Sequence, residues 1–354
     1  GTSLLATSLN AHKNILISWQ PYWLFFKACR NKFFKEIMKK PLDSNYPMGI
    51  LQFSSRKERD LFRDIFTLIK FDTQELSYVI SQIKAYLSDK KEKINKNMKP
   101  LGLLRYLYYL ESGTAGHVLT QLSERLYHSE IYNYKANKDD TKIIGIKEAF
   151  CEEYTEPILN YQALDSVVLH IIRDPRAVVA SRNYGKYMEA TGSKYPIFFI
   201  IRSWLRTVAN YILNKDNDNY LMIKYEDLVR QPEEILKHIC VTLGVEFSKD
   251  IINFEKYTDS EGNKWESNSS FSRFNTINTS SVDRWKDVLS FEEIEIIEYY
   301  CKSEMELMGY ESTKKQFDIG KILNFQEDMS QVRSWLRNYD FSFKTLNPAL
   351  ISYR

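Results

Sequence analysis

An arginine-rich junction between an apolar run and a helical pattern carries the first chemical signal in this sequence. The stretch Val167–Arg182 reads VVLHIIRDPRAVVASR. Its β-branched first half predicts a buried strand, and Pro175 predicts the first turn of a helix. Arg173 and, eight residues later, Ser181 flank the predicted helix start. Free backbone N–H groups and the positive end of the helix dipole make such a position an anion site, unless it is an ordinary junction with solvated arginines.

A second phosphate signal stands at residues Gly1, Thr2 and Ser3, which precede apolar residues at helical spacing. A glycine lets the backbone approach a phosphate closely, and hydroxyl and N–H groups donate hydrogen bonds to its oxygens. A full nucleoside triphosphate loop reads GxxxxGK[ST], so only the second half of such a pattern is present. If this is a phosphate loop, its strand and first residues lie outside the given sequence.

The composition is that of a globular protein with a large core. The chain has 354 residues, of which 44% are hydrophobic and 27% charged. Its net charge of +3 is too balanced for a general nucleic-acid-binding protein. The four cysteines lack CxxC spacing, so we expect no metal site and no obligatory disulfides.

No membrane span is expected, because no apolar run approaches the roughly 18 residues that a span requires. No signal peptide pattern is visible either. We therefore expect a cytoplasmic location, with the Golgi lumen as the alternative if further residues precede Gly1. The sequence does not indicate an oligomeric state.

Strand patterns separated by helical patterns predict an α/β fold with a parallel sheet. The predicted strands are Ile143–Lys147, Val167–Arg173 and Leu221–Tyr225. Helices are predicted at about 2–12, 22–40, 55–70, 73–93, 100–128, 175–190, 195–215, 230–244, 291–308 and 329–339, with a long loop at 254–282. Long loops of this kind are often functional lids.

Together, the two phosphate signals resemble the sulfotransferase superfamily, which uses 3′-phosphoadenosine 5′-phosphosulfate (PAPS). That family has an [RK]SGT[ST] loop at the 5′-phosphosulfate, which Gly1–Ser3 match in part. It also has an RDPRxxxxS element at the 3′-phosphate, which Arg173–Ser181 match. Three further stretches fit: IIGIKEAF at 143–150, YLMIKYEDLVRQPEEILKHICVTLGV at 220–245, and a closing loop with Trp265, Asn268–Ser270, Ser280–Val282, Arg284 and Trp285. The resemblance covers residues 1–20 and about 143–310.

The resemblance implies a P-loop-type parallel β-sheet flanked by helices, with a helical insertion at 21–142 on the acceptor side. We expect one sulfotransferase α/β domain at 1–310 and a helical C-terminal extension at 311–354. The implied nucleotide-binding residues are Gly1, Thr2, Ser3, Arg173, Ser181, Tyr225, Ser281, Arg284 and Trp285. Core packing is an equal alternative for Tyr225 and Trp285, and we expect Arg176 to face solvent.

The catalytic groups follow from the chemistry of sulfuryl transfer. Charge builds up on the leaving phosphate, so fixed cations are needed, and a base must remove the proton from the acceptor. Lys147, at the end of a predicted strand, is the expected cation beside the sulfate. The family's usual base positions hold Gln20 and Ala149 here, and neither side chain is a base. Glu148 is therefore the expected substitute, and Glu111 and His117 are weaker alternatives.

Aromatic residues of the insertion are candidates for the acceptor pocket, although such spacing is more often that of a core. They are Trp19, Tyr22, Trp23, Phe25, Phe26 and Tyr106–Tyr109. They favour a small-molecule acceptor, with a carbohydrate as the second choice because the Lys27–Lys40 segment is basic. Two other classes remain open: a phosphate-loop kinase, for which the loop lysine is missing, and an inactive nucleotide-binding protein.

Overall fold

The β-strands of this chain pair in three separate two-stranded units in the computed structural model. The structure describes residues 1–51, 53–88, 101–134, 140–258, 263–265 and 276–343. The strands are β1 (Ile15–Trp19), β2 (Lys70–Phe71), β3 (Gly113–Thr114), β4 (Ile143–Lys147), β5 (Val168–Ile172) and β6 (Tyr220–Lys224). β1 pairs in parallel with β4, β5 pairs in parallel with β6, and β2 and β3 form a short antiparallel pair.

Helices occupy most of the remaining chain. The α-helices are α1 (Thr2–Asn10), α2 (Trp23–Glu36), α3 (Arg56–Arg63), α4 (Ile65–Leu68), α5 (Thr73–Ser88), α6 (Ala115–Tyr134), α7 (Thr155–Asn160), α8 (Pro175–Asn183), α9 (Lys186–Thr191), α10 (Ile197–Asn214), α11 (Tyr225–Arg230), α12 (Pro232–Thr242), α13 (Trp285–Val288), α14 (Phe291–Leu307) and α15 (Ile319–Asn324). Short 3₁₀ turns lie at Leu101–Tyr106, Glu152–Tyr154, Lys249–Ile252, Phe254–Lys256, Met329–Gln331 and Ser334–Leu336.

These elements confirm the α/β class and the strand–helix alternation around the arginine motif. The predicted strand β4 has the predicted bounds, and β5 and β6 lie within one residue of theirs. Strand β1 was not predicted, although its ILISW sequence is apolar and partly β-branched. The parallel pairs β1–β4 and β5–β6 share no strand-to-strand hydrogen bonds among the described residues.

The predicted helix at 329–339 is wrong, because that segment forms two 3₁₀ turns instead. Its backbone is used elsewhere: Val332 pairs with Lys194 as an isolated parallel bridge. The prediction of a helix over 100–128 is also partly wrong. Gly113–Thr114 form the strand β3 opposite β2, and the long helix α6 begins only at Ala115.

Two large apolar clusters fix the helices on either side of the strands. The first is rich in aromatic side chains of the helices α2 to α6 and includes Tyr22, Phe25, Phe26, Phe33, Phe62 and Phe66. The second joins α8, α10 and α14 to the C-terminal segment through Val179, Phe199, Ile297, Val332 and Leu336. Residues beyond 310 therefore pack into the same core as the arginine motif. Within the described ranges, no helix combines the length and the apolar character that crossing a bilayer requires.

Arg176 is buried, which corrects the expectation that it faces solvent. Its side chain is 4% exposed and donates hydrogen bonds to Asp174 at 2.7 Å and to Glu298 at 2.6 Å. Its guanidinium carbon also lies 4.0 Å from the ring centre of Trp285. Burial of an arginine requires such partners, since an isolated charge in the protein interior is too costly. The motif arginine is thus an element of the core.

The same cluster ties distant parts of the chain together. Asp174 accepts the backbone N–H of Arg176 and so caps α8, with Pro175 at the first helical position as predicted. Glu298 of α14 also accepts hydrogen bonds from the Ser312 hydroxyl at 2.7 Å and from the Thr313 N–H at 3.0 Å. The start of α8, the helix α14 and the C-terminal segment therefore share one buried network.

We expect Arg176→Ala to lower the free energy of unfolding by about 3–5 kcal/mol, because it leaves two buried carboxylates without their cation. Urea denaturation followed by circular dichroism measures the loss. The matched control is Lys237→Ala, which breaks an exposed pair with Glu233 on α12. A loss in Arg176→Ala no larger than in this control would contradict the structural role of the network.

Candidate active site

A cavity of about 1670 Å³ is lined by the strands β4 and β5 and by residues that follow their carboxyl ends. All five residues of each of these strands line it. The edges of β4 and β5 that face away from β1 and β6 have no backbone partner among the described residues. The carboxyl edge of parallel strands is where ligands bind in α/β proteins.

The cavity brings together the two phosphate signals of the sequence. Its lining includes Gly1, Thr2 and Ser3 from the start of α1, and Arg173 and Ser181 from the arginine motif. These two groups are some 170 residues apart in sequence. The cleft that the sequence required between them is therefore present.

Arg173 is held at the rim by contacts to two further predicted residues. Its guanidinium donates to the Ser281 carbonyl and lies 4.6 Å from the ring centre of Tyr225. The hydroxyl groups of Tyr225 and Ser281 are hydrogen-bonded at 2.6 Å. The Trp204 indole N–H donates to the Arg173 carbonyl at 2.8 Å and fixes its backbone. An arginine with fixed backbone and aromatic support is pre-organised for an oxyanion.

Gly1 lies where the backbone must come close to its neighbours. A Cβ atom on Gly1 would lie 2.7 Å from Ile171 Cδ1 and 3.0 Å from the Tyr225 ring. Gly1 itself lines the cavity, so the missing side chain leaves the backbone open to a ligand there.

Lys147 and Glu148 lie at the end of β4, on the same cavity. The Lys147 ammonium is 5.4 Å from the ring centre of Trp19, and burial lowers its pKa to about 8. Glu148 accepts a hydrogen bond from the Tyr22 N–H at 2.8 Å, and burial raises its pKa to about 8. Its second oxygen, Oε2, is buried without a hydrogen-bond partner among the described residues. One carboxylate oxygen is thus held by a backbone N–H group, and the other is buried without such a partner in the described part of the chain.

A second acid, Glu152, was missed by sequence reasoning. It lines the cavity, and burial together with the neighbouring Glu153 raises its pKa to about 7. Its Oε2 is also buried without a partner in the described part of the chain. No pattern in the sequence marks it out, except that it follows the strand lysine by five residues.

The other candidate residues lie elsewhere. Arg284 is exposed and is not among the residues that line the cavity. Trp285 is 4% exposed and packs on Arg176 in the second apolar cluster. Glu111 and His117 form a solvent-exposed pair 3.8 Å apart, away from the cavity lining. Asn268–Ser270 of the predicted closing loop fall outside the described residues.

The wall away from the nucleotide residues is aromatic and basic. Trp23, Phe26 and Tyr86 line it from the helices α2 and α5, together with Lys27. Tyr22 and Phe25 are instead fully buried in the first apolar cluster, and Tyr109 is 90% exposed. The insertion therefore contributes part of its aromatic set to the cavity and most of it to the core.

Glu148 makes the stability of the fold depend on pH. Its carboxyl binds a proton more tightly when folded, with a pKa of about 8 against an ordinary 4.5, so the folded state loses stability as the pH rises between these values. Between pH 5 and pH 8, we expect the free energy of unfolding of Glu148→Gln to fall by about 1–2 kcal/mol less than that of the wild type. Urea denaturation at both pH values tests this. Equal losses of unfolding free energy in Glu148→Gln and in the wild type would contradict the raised pKa of Glu148.

Comparison with known proteins agrees with this geometry. A family model described as "Sulfotransferase domain" matches residues 160–309. Carbohydrate sulfotransferase 2 of Mus musculus is 24% identical over 237 residues, which cover 54% of this chain and 44% of that protein. Carbohydrate sulfotransferase 4 of Mus musculus is 25% identical over 186 residues, or 47% of each chain. The chain thus matches less than half the length of these curated relatives.

A solved structure also matches this chain, at low similarity. The sulfotransferase domain from the curacin biosynthetic pathway covers 88% of this chain and 94% of its own length, with 16% identity and a TM-score of 0.46. The matched range 160–309 contains the strands β5 and β6 and all the cavity residues of the arginine motif. Residues 160–309 are thus similar to the sulfotransferase domain family, and the relatives named above are carbohydrate sulfotransferases.

Proposed function

We propose that this chain transfers a sulfuryl group from PAPS to a hydroxyl or amine of an acceptor bound in the aromatic part of the cavity. The observation that carries the proposal is the shared cavity of Gly1–Ser3 with Arg173 and Ser181 at the carboxyl ends of β4 and β5. PAPS supplies the sulfuryl group and a bisphosphate nucleotide as its leaving group. Catalysis of such a transfer depends on positioning and on fixed positive charge.

The residues of the cavity fit a nucleotide with phosphates at both ends of its sugar. Thr2 and Ser3, with the free N–H groups at the start of α1, suit the 5′-phosphosulfate. Arg173 and Ser181 suit the 3′-phosphate, since a guanidinium group offers paired hydrogen bonds to oxyanions. Lys147 supplies a cation at the end of β4, next to both groups. These roles extend the match with the family from motif to position.

Glu148 is the proposed general base. Its Oε2 is buried without a hydrogen-bond partner among the described residues, while the Tyr22 N–H fixes the carboxylate through Oε1. A pKa of about 8 suits proton abstraction near neutral pH. Glu152, with a pKa of about 7, is the alternative base.

A small-molecule acceptor was the first expectation from the sequence and a carbohydrate the second. The names of the relatives, carbohydrate sulfotransferases 2 and 4, favour the carbohydrate. The cavity wall supports it as well, because Trp23 and Tyr86 offer flat apolar surfaces and Lys27 a cation. We therefore propose a sugar hydroxyl as the acceptor group.

We expect the chain to bind 3′-phosphoadenosine 5′-phosphate (PAP) without a metal ion and more tightly than ATP with Mg²⁺. Arg173→Ala and Ser181→Ala weaken this binding, the arginine by about tenfold to a hundredfold, because a charge-assisted hydrogen bond is lost. Arg230→Ala, an exposed arginine at the end of α11, is the matched control. Isothermal titration calorimetry gives the dissociation constants. Tighter binding of ATP with Mg²⁺ would favour a phosphate-loop kinase and contradict the proposed binding of PAPS.

The rate of transfer rises with pH as the base loses its proton, with a midpoint near the pKa of about 8 for Glu148. Glu148→Gln lowers kcat by about a hundredfold or more and removes this rise, since general base catalysis contributes that much. The experiment is a kcat profile from pH 5.5 to 9.5 with labelled PAPS. If Glu152→Gln loses the activity and Glu148→Gln keeps it, Glu152 is the base. If PAP binds and no acceptor is sulfated, the chain is an inactive nucleotide-binding protein.

A further inference from the structure

Two arginines from different elements meet the same tyrosine ring on the cavity wall. Arg182 lies in the last turn of α8, directly after Ser181, and Arg333 lies in the C-terminal segment. The guanidinium carbon of Arg333 is 3.7 Å from the ring centre of Tyr195, and that of Arg182 is 5.5 Å from it. Arg182 is also 4.9 Å from the ring centre of Phe150, and all four residues line the cavity.

Backbone and amide hydrogen bonds hold this cluster in place. The Lys194 N–H donates to the Gln331 carbonyl at 2.7 Å, and the Arg333 N–H donates to the Lys194 carbonyl at 3.1 Å. On the other side, the Asn183 side chain donates to the Tyr195 carbonyl and accepts from the Tyr195 N–H, both at 2.9 Å. Arg333 is only 7% exposed. The two guanidinium groups are therefore fixed by the fold and are not mobile surface charges.

The cluster lies close to residues at the reacting end of the proposed nucleotide site. Phe150, under Arg182, follows Lys147 by three residues. After burial, the charge of Arg182 also lowers the pKa of Lys147, so its guanidinium acts on the lysine at the sulfate end of the cavity. Arg333, Tyr195, Trp335 and Phe199 line the same cavity.

The charge balance of the cavity favours an anionic ligand over a neutral one. The basic residues along its lining are Lys27, Lys142, Lys147, Arg173, Arg182 and Arg333, against the acids Glu148, Glu152 and Asp165. Burial raises the pKa of Glu148 to about 8 and that of Glu152 to about 7. Both acids therefore carry little or partial negative charge near pH 7, whereas arginine stays charged. The phosphates and sulfate of PAPS suit the cations around Arg173 and Lys147, whereas Arg182 and Arg333 meet at the Tyr195 ring on the cavity lining.

We propose that Arg182 and Arg333 form a subsite for an oxyanion carried by the acceptor, a carboxylate or a sulfate ester on the sugar that is sulfated or on its neighbour. The preferred acceptor is then an anionic carbohydrate. Guanidinium groups suit this task, because their planar N–H donors pair with both carboxylate and sulfate oxygens. This inference rests on the proposed function and names the acceptor class of the same site.

The test compares ligands that differ only by the anionic group. Binding to the PAP-saturated chain is measured by calorimetry for 4-nitrophenyl β-D-glucuronide against the xyloside, which lacks the carboxylate. A second pair is 4-nitrophenyl β-D-glucoside 6-sulfate against the glucoside. We expect the anionic member of at least one pair to bind tenfold more tightly or better. The pair that shows the preference identifies the carboxylate or the sulfate ester as the recognised group.

In Arg333→Gln and Arg182→Gln the preference falls to threefold or less, while the neutral sugars bind as before. Arg333→Lys retains part of the preference, which shows that a folded site and not a damaged one is responsible. Lys315→Gln removes an exposed charge from the same segment and keeps the full preference. Equal binding of both members of each pair to the wild type overturns the subsite, as does a preference that survives in Arg333→Gln.

The outcome for PAP itself separates this inference from the proposed function. If the wild-type chain does not bind PAP, the proposed function fails first. If all variants bind PAP as the wild type does and no anionic ligand is preferred, only the subsite is wrong. If Arg182→Gln loses PAP binding, Arg182 belongs to the nucleotide site and the two-arginine subsite is refuted.

Discussion

The buried contact of Arg176 with Asp174 and Glu298 is the constraint on which the rest of this site depends. It fixes the first turn of α8 against α14, and Glu298 extends the network to Ser312 and Thr313. A buried ion cluster tolerates little displacement, because a shift of any member leaves a charge without a partner. The direction of α8 follows from this contact. The same contact sets the position of Arg173 before that helix, and it sets the positions of Ser181 and Arg182 in the last turns of the helix.

Burial acts in opposite ways on the acids and the bases of the cavity. Desolvation disfavours the charged form of any group, so Glu148 and Glu152 hold their protons while Lys147 becomes easier to deprotonate. Arginine is too basic to be neutralised in this way. The cavity therefore keeps a positive charge when the pH changes, and guanidinium groups supply this charge. Such a cavity suits a ligand with several oxyanions and still offers near-neutral acids for proton transfer.

Local patterns predicted the elements whose residues carry their own signal. The strand β4 and the motif from β5 into α8 were predicted because the apolar runs and Pro175 are read within a few residues. The capping box of Ser290 and Glu293 likewise agrees with the predicted helix at 291–308. The helix prediction for 329–339 is wrong, because the helical pattern of this segment competes with backbone pairing to Lys194, which is over 130 residues away.

The sequence by itself determined the fold class, the resemblance to sulfotransferases and which residues form the two phosphate signals, because each of these is encoded in adjacent residues. Only the tertiary structure decided that Arg176 belongs to the core, that Glu152 faces the cavity and that Arg333 reaches Tyr195. These roles depend on contacts between elements far apart in the chain. Whether a charged side chain is a solvated surface group or a buried partner is a property of its surroundings, and no local pattern records those surroundings.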